Sequence, residues 1–210
     1  MRLEDLFETP QLKPTDQLVD IQAHAFITQK SMDRLYDMEG NIHVSDDTEL
    51  FVIMRKNSEL AVIGTAGIRE PDKSVGINVL GEIYFKYIPS ISGIKPISKN
   101  DLFLQVSQVK IANDVRSRGY AMYAYLLLAK KGYIVVSDNT QYIGGKELWK
   151  KIAKQTVGTN YNVYVIDHGD IRCDENGKPI IYDGSNIDDS GLWSTGNDKK
   201  YTLFVLKIKS

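Results

Sequence analysis

The chain has 210 residues, 42% of them hydrophobic and 25% charged, which is enough for one globular domain with a substantial core. Its 26 basic residues nearly cancel 27 acidic ones, so no global field recruits nucleic acid. A single cysteine, Cys173, excludes an intramolecular disulfide and points to a reducing compartment, and the three histidines, His24, His43 and His168, show no metal-ligand spacing.

The first residues lack a basic stretch followed by an apolar one, and no apolar run approaches the ~20 residues that span a bilayer. The expected compartment is therefore the cytoplasm, with no membrane partner. Residues 1–14 read as a short amphipathic extension closed by Pro10 and Pro14. Thr15 is a candidate helix cap, and Leu18, Ile21, Ala25, Met32 and Leu35 recur at three- and four-residue steps. This periodicity predicts a core-facing helix to about Met38, with Gly40 as its stop. Leu50–Met54 and Leu60–Ile68 are β-rich and flank Arg55–Glu59, the pattern of an antiparallel hairpin. Gly81–Ile88 is another strand, with Ile83, Phe85 and Tyr87 on one face, and Pro89–Lys99 is a loop.

Leu102–Ile111 is the most informative strand. Leu102, Leu104 and Val106 share one face, whereas Val109 and Ile111 fall on the other, so the phase slips near Ser107-Gln108. Two readings fit the slip: a β-bulge, or a strand whose end is exposed. Tyr120–Lys131 is apolar almost all round and reads as a buried helix ended by Gly132. Tyr133–Val136 is a short buried strand. Asp138, Asn139 and Thr140 offer caps for a helix to about Lys154, with Leu148, Trp149, Ile152 and Ala153 inward and lysines outward. Tyr161–Ile166 and Tyr201–Ile208 are the last strands. The polar stretch between them, 167–200, is a long loop or hairpin insertion in what reads as a single domain over 1–210.

Between the informative strand and the buried helix lies Arg116-Ser117-Arg118-Gly119-Tyr120-Ala121. A strand, a cationic turn and a helix N-terminus in that order form a seat for an anion of pyrophosphate size. The first helical turn presents N–H groups and a positive dipole end, Gly119 admits close approach, and the arginines supply forked donors. The plainer reading is a strand-to-helix turn whose Arg and Gly serve only solubility and geometry.

Arg116-x-x-Gly119-x-Ala121 resembles the Arg/Gln-x-x-Gly-x-Gly/Ala signature of the GNAT superfamily of N-acetyltransferases. The lead-in Ile111–Arg116 resembles that family's Val-x-Pro-x-x-Arg, with Asn113 at the proline position. The element order over roughly Gln17–Lys209 is similar to that of the family, apart from its extended final hairpin. The resemblance implies an α/β (α+β) fold with a mixed, mostly antiparallel sheet, flanked by helices and splayed at a bulged fourth strand. It implies acyl transfer from acetyl-CoA to an amine acceptor, a small molecule or a protein, by direct attack. Val109 and Ile111 would offer strand backbone to the pantetheine arm, Arg116–Ala121 would hold the pyrophosphate, and Asn139, just beyond the fifth strand, would also hold the arm. Tyr142 occupies the neighbourhood of the family's general-acid tyrosine, although most of the twelve tyrosines are expected to be structural.

The base is the departure. The family often places a Glu on the fourth strand, where this chain has Gln105, Ser107 and Gln108. None of these is a base near neutral pH. Glu82 on the preceding strand is the substitute, or else an ordinary solvated carboxylate. Two other functions stay open: a catalytically silent member that binds a protein partner, and a member that modifies a nucleobase amine. The second would use the lysine stripe Lys146, Lys150, Lys151 and Lys154, which also reads as a plain solvated face. Leu148-Trp149-Lys150 and Leu192-Trp193-Ser194 resemble segments of phage-encoded or defence-associated relatives, for which the host cytoplasm would be the compartment. A monomer or homodimer without metal is expected.

Overall fold

A computed structural model describes residues 25–45, 48–70, 72–95, 102–138, 143–193 and 202–209. Over these residues the protein is mixed α+β, with three α-helices and mostly antiparallel strand pairing. None of the described helices is long and apolar enough to cross a membrane. The elements fall into two compact units, one within Leu18–Lys86 and Val106–Lys131, the other within Tyr87–Gln105 and Gly132–Ser210.

In the first unit, β1 (Phe26–Thr28) leads into α1 (Gln29–Leu35), and the Thr28 hydroxyl caps that helix by accepting from the Ser31 N–H at 3.3 Å. β2 (Tyr36–Ser45), β3 (Thr48–Arg55), β4 (Leu60–Arg69) and β5 (Ser74–Ile88) then pair antiparallel in sequence order, with β1 also on β5. The hairpin expected from Leu50–Met54 and Leu60–Ile68 is present in register, Leu50 opposite Thr65 and Met54 opposite Ala61. β6 (Phe103–Ile111) follows beside β5, and α2 (Tyr120–Lys130) comes after it.

The two sheet faces are covered by different helices. Met32 of α1 packs with Ile53, Val62, Ile77 and Val79 on one face. Gly40 of β2, opposite Val52, lies beneath α2, where an added Cβ would stand 3.5 Å from both Leu127 Cδ2 and Lys131 Cε. Hence β3 is apolar on both faces, Val52 and Ile53 alike being buried.

The long helix expected to run to Met38 is corrected. Its described portion is only the seven-residue α1, because Phe26–Thr28 and Tyr36–Ser45 are drawn into the sheet. Tyr36 pairs with Arg55 and Met38 with Ile53, and Met38 is 53% exposed. Ladder bonds along β3 outweigh the three-to-four spacing of the side chains. Gly40 is a mid-strand residue at a register shift, not a stop. Leu18 and Ile21 lie outside the described residues, as do Thr15 and the extension 1–14.

In the second unit, β7 (Ile134–Val136) pairs parallel with the start of β6, Phe103 to Gln105 only. β10 (Thr202–Ile208) lies antiparallel between β7 and β8 (Tyr161–Asp167), and β9 (Asp170–Ile171) continues from β8. Leu203 and Val205 point into a core with Phe103, Ile134, Val136, Ile166, Ile91 and Ile94. Phe204, on the other face of β10, stacks on Trp149 of α3 (Ile143–Thr156) and on Trp193, with centroids 5.7 and 4.7 Å away.

The segment expected as a long loop is, as far as Trp193, tied down by backbone bonds. Arg172 N–H donates to Val165 O at 2.8 Å and Tyr182 N–H to Val163 O at 2.8 Å. Two lysines of α3 then fasten it: Lys146 and Lys150 reach Asp189 at 2.8 and 3.0 Å. Only the far end of that segment, 194–200, lies outside the described residues.

Candidate functional site

β6 ends at Ile111, and a 3-10 turn, Asn113–Val115, carries the chain to Arg116. Ser117 then adopts φ +68°, and Gly119 φ +85° as the residue that opens α2. Left-handed φ is natural for Gly119 but costs a serine ~1–2 kcal/mol. A turn that holds an L-residue there is conformationally over-determined by its surroundings. Arg116 supplies part of that hold, since its Nε donates to Ile111 O at 3.1 Å and folds the turn back onto the strand end. With Nε engaged, its terminal amino groups remain as donors.

α2 begins without a side-chain cap, and its first turn contains no acidic residue. Its leading N–H groups and dipole are therefore not neutralised locally. Ser117 and Arg118 are exposed, Arg116, Gly119 and Ala121 are half-buried, and Tyr120 is buried into the core. The structure thus brings Arg116, Ser117, Arg118, Gly119 and Ala121 together as one accessible turn. Tyr120 contributes backbone to it and a side chain to packing.

Val109 and Ile111 sit on the half-buried end of β6. The other end of the strand is different: Phe103, Leu104, Gln105 and Val106 are all buried, so both faces are covered and alternation does not apply there. Leu102, expected to face inward, is 47% exposed. The phase change near Ser107 coincides with this passage from double to partial cover, which fits the exposed-end reading. A register shift does occur next door. On β5 the pairing passes from Gly81–Ile63 to Val79–Gly64, leaving Leu80 as an extra residue. The Leu80 carbonyl accepts from the Ala112 N–H at 2.9 Å, tying the bulge to the residue that follows β6. Gly81 is required beside it: a Cβ there would meet Ile111 Cδ1 at 2.6 Å and Lys110 O at 2.8 Å.

Glu82 follows, half-buried on the opposite face of β5 from Gly81. Its Oε2 accepts from the Tyr84 hydroxyl at 2.6 Å. That hydrogen bond, reinforced by burial, raises the Tyr84 phenol to about 12. The Lys110 ammonium stands 4.7 Å from the centre of the Tyr84 ring. Sequence reasoning found Glu82 and overlooked Tyr84 and Lys110. A signal was there, since Glu82 and Tyr84 are two apart on a strand and so share a face.

Of the remaining candidates, Asn139 and Tyr142 lie outside the described residues. Gln105 is buried, with Nε2 3.5 Å from Ser137 O, and Ser107 is exposed. In the lysine stripe, Lys146 and Lys150 share the Asp189 carboxylate, while Lys151 and Lys154 are exposed. Among the described residues no group of three or more His, Cys, Asp or Glu is placed to hold a metal ion. No family model and no curated protein matches the chain.

Proposed function

We propose that the chain is an acyl-CoA-dependent N-acyltransferase of the GNAT type, with the coenzyme's pyrophosphate seated on Arg116–Ala121. The observation that carries this reading is the turn itself: Ser117 and Gly119 both left-handed, immediately before an uncapped helix N-terminus free of acidic residues. Successive backbone N–H groups in such a turn make a concave anion seat, and the left-handed Ser117 supports that reading. The half-buried end of β6, at Val109 and Ile111, would offer backbone to the pantetheine arm. Bound acetyl-CoA would supply an acyl group activated as a thioester. The chain would contribute orientation of donor and amine, and the Glu82 carboxylate for the amine proton.

A second reading, a silent protein-binding member of the same fold, draws on one observation: β6 carries no carboxylate, only Gln105, Ser107 and Gln108 as polar candidates before Lys110. Calorimetry with acetyl-CoA separates the two. The parent is expected to bind, and Gly119→Glu to abolish binding with its circular dichroism unchanged. Gly119→Asn, which tolerates left-handed φ, is expected to keep measurable affinity. A parent that takes up no acetyl-CoA at millimolar ligand overturns the proposal in favour of the second reading.

A further inference from the structure

We propose that Tyr84 is a positioning residue for Glu82, and that the two act as one acid–base unit on the α1 face of the sheet, with the acceptor amine delivered to Glu82 Oε1. The inference rests on the acyltransferase reading above and adds to it the identity of the unit that handles the amine proton.

Strand register places the pair. Glu82 is opposite Val62 and Tyr84 opposite Leu60, and cross-strand partners share a face. Val62 and Leu60 pack with Met32 of α1, so Glu82 and Tyr84 are on that face too. Gly81 and Ile111 take the opposite face, which leaves Lys110 beside Tyr84, where it is found. A carboxylate, a phenol and an ammonium thus gather on the strand pair that ends in the anion turn.

Within the group the oxygens are divided. Tyr84 donates to Oε2 at 2.6 Å, and Glu82 Oε1 has no partner among the described residues. Glu82 also lacks a basic partner there, because Lys110 is turned onto the aromatic ring. A carboxylate held by one oxygen and open at the other has one orientation and one vacant acceptor, the arrangement a general base needs. The ordinary solvated strand carboxylate would have both oxygens in water and several rotamers. In the reaction, the amine nitrogen bonds to the acyl carbon as the carbon–sulfur bond breaks. The nitrogen's proton passes to Glu82 Oε1, and the departing thiolate takes a proton from solvent. Tyr84 keeps its own proton throughout, which suits a phenol raised to about 12.

The test is a double-mutant cycle on Glu82→Gln and Tyr84→Phe, following coenzyme A release from acetyl-CoA with a panel of primary amines. Tyr84→Phe is expected to lower kcat about tenfold with the KM for acetyl-CoA unchanged. The double variant should be no slower than Glu82→Gln alone, because the hydroxyl acts only through the carboxylate. Ultraviolet titration gives a signature independent of turnover: the Tyr84 phenol should fall from about 12 toward its ordinary 10.0 in Glu82→Gln. A Tyr84→Phe variant with parental kcat, or additive losses in the double variant, overturns the dyad while leaving the acyltransferase reading intact. A parent that binds acetyl-CoA but releases no coenzyme A to any amine overturns the dyad. One that neither binds nor releases overturns both.

Discussion

At the scale of single residues, the two arginines of the turn before α2 are not equivalent. Arg116 is half-buried and donates through Nε to Ile111 O, whereas Arg118 is exposed. Truncating Arg116 therefore removes a hydrogen bond that shapes the turn, as well as a charge. Arg116→Ala is expected to cost ~0.5–1.5 kcal/mol of stability, read from urea unfolding, and to weaken acetyl-CoA binding. Arg118→Ala should leave the unfolding curve unchanged and weaken binding by a margin that shrinks as salt is raised. Equal effects of the two on stability would show that the Nε contact does not shape the turn. The turn and helix start were legible in the sequence because their cause is local: a polar Arg-Ser-Arg-Gly run followed at once by an apolar helical one. The left-handed Ser117 was not, because nothing about a serine announces positive φ.

Two elements carry their own tests. Gly81 allows β5 and the end of β6 to approach, and a methyl there would press on the Lys110 carbonyl and Ile111. Gly81→Ala is expected to destabilise by ~1–3 kcal/mol through overpacking. It should also lower acetyl-CoA affinity in the folded fraction, since Ile111 is the residue from which the turn hangs. Differential scanning calorimetry with and without ligand separates the two effects. The second element is the segment after β9, fastened to α3 through Asp189. Hydrogen bonding from Lys146, and then from Lys150, holds the Asp189 carboxyl below its ordinary 3.8. A folded value below the unfolded one means that the stabilisation is complete above about pH 4 and is lost as pH falls through the lowered value. Asp189→Asn should therefore cost up to ~1 kcal/mol at pH 7, the scale of a solvent-accessible ion pair, and nothing in strong acid. Urea unfolding of parent and variant at the two pH values measures it. A loss that persists in acid would mean that the carboxylate's charge is not what fastens the segment.

For the whole molecule, charge is the deciding property. A formal net charge of −1 offers no long-range attraction to a polyanion, and Lys146 and Lys150 of the lysine stripe are drawn onto the one Asp189 carboxylate. The nucleobase-modifying function needs such attraction, because phosphate contacts supply most of non-specific affinity. Fluorescence anisotropy with labelled single- and double-stranded DNA at physiological salt is expected to show no binding tighter than the ~10⁻⁴–10⁻⁶ M of non-specific contacts. Saturable binding at nanomolar protein would revive that function and set aside a small-molecule or protein amine as the acceptor.

The sequence by itself determined the elements whose cause is local. The hairpin of β3 and β4 announced itself by two β-rich runs and a polar turn, α2 by an apolar run closed by Gly132, and α3 by an inward Trp149-Ile152-Ala153 stripe. Only the tertiary structure decided the rest, because each case turns on a partner distant in the chain. Phe26–Thr28 and Tyr36–Ser45 are strands because β5 and β3 offer them ladders, against a helical spacing in their own residues. The first half of β6 is buried on both faces, so its pattern could not report its register. The segment before Trp193 is ordered by contacts with β8, α3 and Phe204. Glu82, a lone strand carboxylate in the sequence, gains a partnered oxygen only where Tyr84 shares its face, and Lys110 reaches that ring only because β6 runs beside β5. Side-chain spacing records which face a residue occupies, but what covers that face is settled by the neighbouring strand or helix.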